Sequence, residues 1–89
     1  MLQQKIKIIN KLGLHARAAT KFSNVAKKYN CDIKVALGDK AIDGKSIMSL
    51  MLLAAAKGSD IELIMNGPDE NSAMLELTEL INNYFDEGE

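Results

Sequence analysis

Asp32-Ile33-Lys34-Val35-Ala36-Leu37-Gly38-Asp39-Lys40-Ala41-Ile42 places alternating residues on either side of a Gly-Asp pair. Successive side chains on a strand point to opposite faces, so Ile33, Val35 and Leu37 share one face while Asp32 and Lys34 share the other. Gly38-Asp39 reads as a two-residue hairpin turn into a short strand, Lys40 to Ile42. A hairpin with one apolar face needs a covering layer, and the flanking segments supply it. Upstream, Ala16 to Tyr29 carries Ala19, Phe22, Val25, Ala26 and Tyr29 at helical spacing. Downstream, Ser46 precedes an apolar helix from Ile47 to Ala54, with Lys57 and Gly58 as its cationic end and glycine stop.

The same two periods continue outward. Gln4 to Ile9 alternates, with Ile6 and Ile8 opposite Lys5 and Lys7, and Asp60 to Met65 alternates through Ile61, Leu63 and Met65. Gly67-Pro68-Asp69-Glu70 opens a last helix with proline in its first turn and acids beside it. Ala73, Met74, Leu77, Leu80, Ile81 and Tyr84 form its buried stripe. The ending, Phe85-Asp86-Glu87-Gly88-Glu89, is acidic and is expected to fray. The order β-α-β-β-α-β-α gives an α+β fold of two layers, helices on one face of a mostly antiparallel sheet, in a single domain over residues 1–89.

Composition narrows the function classes. The chain has 89 residues, 47% hydrophobic and 26% charged, which fits one modest globular core and not a disordered chain. A net charge of -1 gives no electrostatic case for nucleic acid or an acidic membrane. Cys31 is alone, so no intrachain disulfide forms, and one cysteine with one histidine does not build a zinc site without carboxylates or a second chain. The apolar run Ile47 to Ala56 is too short to span a bilayer, and no signal segment is visible, so a cytoplasmic protein is the default.

The only histidine and the only arginine, His15 and Arg17, lie in Asn10-Lys11-Leu12-Gly13-Leu14-His15-Ala16-Arg17-Ala18-Ala19-Thr20. A loop ending at Gly13 runs into the first helix, so both side chains belong to its first turn. The amides and macrodipole there favour negative charge, by about 0.3–1 kcal/mol for a surface anion. An arginine at that end, with no acid nearby in sequence, suits a bound anion. The dipole also disfavours an imidazolium, and a neutral imidazole is a nucleophile. If His15 attacks phosphorus, the added charge meets the first-turn amides of Ala16 and Arg17 and the guanidinium. The plainer reading is a solvated helix start with no further role. Arg17, Lys21, Asn24 and Lys28 follow one stripe opposite the core and give this end a basic face.

Gly13-Leu14-His15-Ala16-Arg17 resembles the active-site signature of HPr, the phosphocarrier family of the bacterial phosphoenolpyruvate-dependent phosphotransferase system. The likeness continues through Lys45-Ser46-Ile47-Met48, Ala56-Lys57-Gly58 and Gly67-Pro68-Asp69-Glu70. Asn10-Lys11-Leu12-Gly13 and the ending Phe85-Asp86-Glu87-Gly88-Glu89 look most like the nitrogen-related branch, NPr. The resemblance implies an open-faced sandwich with sheet order 1-4-2-3. It implies that His15 takes a phosphoryl group from Enzyme I on Nδ1 and passes it to an EIIA-type protein, with Arg17 steadying it. Such a chain is a transfer intermediate, not a self-sufficient enzyme, and no metal or organic cofactor is implied. Many members have proline directly after the arginine; Ala18 stands there here, which bears on the rigidity of the first turn.

Ser46 reads first as a helix N-cap. The resemblance adds phosphorylation by a serine kinase, reversed by a phosphorylase, and a phosphoserine is locally favoured at a helix start. Gly44-Lys45-Ser46 resembles the end of a P-loop, but the upstream glycine falls on Asp39, so nucleotide binding is rejected. Ile47, Leu50, Leu53 and Ala54 can face the core; Met48, Met51 and Leu52 cannot all do so. They are either crowded core or a docking patch, for which methionine is well suited. The expected partner surface is Ala16, Thr20, Lys21, Asn24 and Lys27 with Lys45, Ile47, Met48, Ser49, Met51 and Leu52. A monomer is the simplest expectation. The rival from another class is a docking module governed by Ser46 phosphorylation that carries no phosphate on His15.

Overall fold

A computed structural model describes residues 1–87. The elements are β1 (Leu2–Lys7), α1 (Ala16–Ala26), β2 (Asp32–Leu37), β3 (Lys40–Asp43), α2 (Ile47–Leu53), β4 (Asp60–Asn66) and α3 (Glu70–Asn82), followed by a short turn at Tyr84–Asp86. The sheet runs β1-β4-β2-β3, antiparallel throughout. Its register pairs apolar residues of one face, Ile6 with Ile61, Val35 with Leu63 and Ile33 with Met65. That face is buried under the helices, with Phe22 and Ala19 of α1, Leu50 and Leu53 of α2, and Leu77 and Ile81 of α3 in one core. Gly38 has φ +60 at the first turn position, the backbone a tight hairpin requires there.

Four expectations are corrected. The first helix stops at Ala26 rather than Tyr29, because Lys28 and Tyr29 bond back to Val25 and Ala26 in tighter three-residue steps. Lys27 and Lys28 therefore leave the helix, and Lys28 pairs with Glu76 at 2.7 Å. The second helix ends at Leu53, with Ala54 left-handed at φ 55, so Lys57 and Gly58 belong to the following turn. This reversal buries Ala55 and presents its carbonyl to the Leu14 amide at 2.9 Å.

Pro68 lies before the third helix, not in its first turn. Asp69 stands at the N-cap position, yet its carboxylate accepts from the Asn30 and Cys31 amides at 2.7 and 2.9 Å and ties α3 to the entry of β2. The Asn30 amide, its strongest influence, holds the Asp69 carboxyl below its ordinary range.

The ending is also corrected. Phe85 is fully buried, while Tyr84, assigned to the core stripe, is exposed. Tyr84, Phe85 and Asp86 have φ of 56, 52 and 62, three consecutive left-handed residues. Each costs about 1–2 kcal/mol. Burial of the Phe85 ring, and its carbonyl accepting from Lys21 Nζ at 2.8 Å, offset that strain. Gly88 and Glu89, the rest of the expected frayed tail, lie outside the described residues.

Candidate functional site

The loop before α1 is built to hold one shape. Asn10 is buried, and its Nδ2 donates to the Gly13 carbonyl at 2.8 Å while the Gly13 amide returns to the Asn10 carbonyl at 3.2 Å. Gly13 has φ +66, and a Cβ there would lie 2.4 Å from the Ala55 carbonyl oxygen. Both conditions demand glycine. Leu14 is buried as the next anchor.

His15 follows as the N-cap of α1, extended at φ -77 and ψ 179, with its carbonyl accepting from Ala19. Its side chain makes no capping bond to the helix amides. It stands one residue before the helix, and Arg17 is in the first turn. The amides of Ala16, Arg17 and Ala18 have no acceptor within the helix. Arg17 is 75% exposed.

An acid unseen in the sequence reading completes this end. Glu87 Oε1 lies 2.9 Å from His15 Nε2, and Glu87 Oε2 lies 3.7 Å from Arg17 Nε. The expectation of an arginine with no nearby acid is therefore overturned: 72 residues of sequence separate His15 from Glu87, and the fold closes that gap. Glu87 Oε2 is buried with no hydrogen-bond partner among the described residues.

The expected partner surface divides in two. Ala16, Asn24 and Lys27 are exposed, and Met48, Met51 and Leu52 are exposed on α2. Leu12, 68% exposed, adds to the apolar surface from the loop whose Gly13 abuts Ala55 and Ala56. Sequence reasoning took Leu12 only as a branch marker; a lone leucine between Lys11 and Gly13 in a loop was the available signal.

Lys45 is occupied inside the fold, its Nζ donating to the Tyr29 carbonyl at 2.7 Å. Lys21 is likewise spent on Phe85. Thr20 donates to the Ala16 carbonyl, while Ile47 packs against the core and Ser49 is half-buried. The basic stripe is thus broken: of Arg17, Lys21, Asn24 and Lys28, both lysines have intramolecular partners. Ser46 caps α2, its Oγ accepting from the Ser49 amide at 3.2 Å.

Comparison with known proteins agrees with this fold. The family described as "PTS HPr component phosphorylation site" matches residues 2–83. A phosphocarrier protein HPr of Neisseria meningitidis is 57% identical over 89 residues, 100% of both chains. A phosphocarrier protein NPr of Shewanella violacea is 36% identical over 86 residues, covering 97% of this chain and 94% of that one. The crystal structure of HPr-C-His from Thermoanaerobacter tengcongensis superposes with a TM-score of 0.94 at 39% identity, covering 98% of each chain. The chain belongs to the HPr family, phosphocarrier proteins of the phosphotransferase system that carry a phosphoryl group and do not act as catalysts.

Proposed function

We propose that His15 is the carrier residue, taking a phosphoryl group from Enzyme I on Nδ1 and giving it to an EIIA-type protein. One observation carries this reading: the sole imidazole stands at a helix N-terminus beside Arg17 and the amides of Ala16 and Arg17, which have no acceptor within the helix. Those donors meet the charge that arrives with the phosphoryl group, and their placement by a rigid loop means little reorganisation is needed. Arg17 is the clamp, able to reach the group because its side chain is exposed. Both partners dock over Ala16, Asn24 and Lys27 and the apolar patch of Met48, Met51 and Leu52, with Leu12 alongside. Thr20, Lys21, Lys45, Ile47 and Ser49 support that surface from beneath.

A monomer acting in the cytoplasm is the state that goes with this reading. No helix among the described residues is long and apolar enough to cross a membrane. Ser46 is the proposed regulatory position: a kinase-added phosphate there would place negative charge at the start of α2 beside the docking patch. Assignment to the nitrogen-related branch is carried by Asn10-Lys11-Leu12-Gly13 and the acidic ending alone, and 57% identity to an HPr against 36% to an NPr weighs against it.

The test is loading from phosphoenolpyruvate with Enzyme I of each branch in parallel, followed by a chase with EIIA. Acid-labile, base-stable label that appears and then leaves onto EIIA supports the carrier reading, and the faster donor names the branch. No label with either donor moves the weight to a docking module governed by Ser46.

A further inference from the structure

We infer that Glu87 is a positioning residue for His15: its carboxylate keeps the ring proton on Nε2, leaves the Nδ1 lone pair to take the phosphoryl group, and opposes the positive charge the ring gains. This deepens the carrier reading and rests on it. An ionised carboxylate only accepts, so the 2.9 Å contact between Glu87 Oε1 and His15 Nε2 requires a hydrogen on that nitrogen. In a neutral imidazole the other nitrogen then holds the lone pair. Glu87 thus answers which ring nitrogen reacts.

The placement of Glu87 is paid for by the fold. Its side chain is 13% exposed and His15 26%, so the pair is shielded from water on the Glu87 side. The chain reaches this point through the left-handed turn Tyr84–Asp86, pinned by the buried Phe85 ring and the Lys21 bond to the Phe85 carbonyl. Arg17 Nε lies 3.7 Å from Oε2, the carboxylate's other oxygen.

The chemistry balances without a proton transfer. Nδ1 attacks phosphorus, the P–Nδ1 bond forms, and the bond between phosphorus and the donor breaks, the donor keeping its electron pair. The ring passes from neutral to a cation still carrying its Nε2 proton, and Glu87 faces that charge. The reverse step returns the pair to Nδ1. A carboxylate behind a histidine plays this orienting and charge-balancing role in hydrolases as well.

The experiment uses phosphoramidate, a small donor that transfers its phosphoryl group to histidine and releases ammonia, on wild type, Glu87→Gln and Glu87→Ala. The isomers are read by ³¹P and ¹⁵N NMR, with melting curves confirming that each variant folds. Wild type is expected to give the Nδ1 isomer. In Glu87→Ala the Nε2 isomer should appear, with the Nδ1:Nε2 ratio falling by about tenfold or more. Glu87→Gln retains an acceptor oxygen without charge and should fall between. Equal isomer ratios in wild type and Glu87→Ala, or Nε2 product in wild type, or an unreactive His15, would overturn the inference. No partner protein is needed, so failure of loading by Enzyme I would count against the carrier reading separately.

Discussion

Glu87 Oε1 sits 2.9 Å from Nε2 of His15, so the segment that follows α3 reaches the start of the first helix. The anion-favouring end of α1 already faces a carboxylate, and Arg17 lies near enough to share it, at 3.7 Å. On the proposed reading, an incoming phosphoryl group meets a site that already holds a cation and a carboxylate, and bonds the ring nitrogen that Glu87 does not hold.

Arg17→Ala should slow phosphoryl transfer to and from the protein by about 10- to 100-fold, since it removes a charged donor aimed at developing charge. Arg17→Lys should recover part of the rate, because a lysine supplies charge without the planar fork. Stability should hardly change, as the side chain is 75% exposed. Rapid-quench transfer kinetics and a thermal melt separate the two effects.

Gly13→Ala should destabilise the fold by about 1–3 kcal/mol, the range for a residue forced into an unfavourable backbone conformation. The added Cβ would lie 2.4 Å from the Ala55 carbonyl oxygen, so the loop must shift and His15 with it. Urea unfolding measures the first effect. A transfer rate reduced even where the variant remains folded measures the second.

Ser46→Ala should cost about 0.5–2 kcal/mol through loss of the α2 cap, with transfer kinetics near wild type. Ser46→Asp keeps a capping oxygen and adds charge. It should melt close to wild type yet bind Enzyme I more weakly, and the loss should shrink as salt rises. Titration calorimetry at two salt concentrations checks this.

Acid should destabilise the protein through three carboxylates. The Asn30 amide lowers Asp69 from its ordinary 3.8, the Gly67 amide lowers Glu70 from 4.5, and the Lys28 and Tyr29 hydrogen bonds lower Glu76 from 4.5. In that window the unfolded chain binds more protons than the folded one, so stability rises with pH. Their contribution is complete above those ordinary values and is lost as pH falls through the lowered ones. Unfolding free energy against pH should show a shallower acid limb in Asp69→Asn than in wild type.

Much of this was legible in the residues. Ile33, Val35, Leu63 and Met65 showed their shared face by alternation alone, and Gly38-Asp39 marked the hairpin. The position of His15 and Arg17 at a helix start and the cap at Ser46 were readable because the physics is local. Strand order came from the family resemblance, since alternation identifies a face and not a neighbour.

The Glu87 contact was not legible. It depends on a left-handed turn of three non-glycine residues, which local preference argues against, and on the distant pocket that Phe85 fills. A lone aromatic in an acidic ending was the clue that this segment docks. The reach of Lys45 to the Tyr29 carbonyl was equally hidden, because a lysine beside an N-cap reads as solvated until the opposing backbone is known.

The most direct measurement is the number of acid-labile phosphoryl groups per chain after loading from phosphoenolpyruvate and Enzyme I, on wild type and His15→Ala side by side. The result expected is a single group on wild type and none on the variant. Label on His15→Ala, or none on wild type with a donor that loads other HPr proteins, would contradict His15 as the carrier.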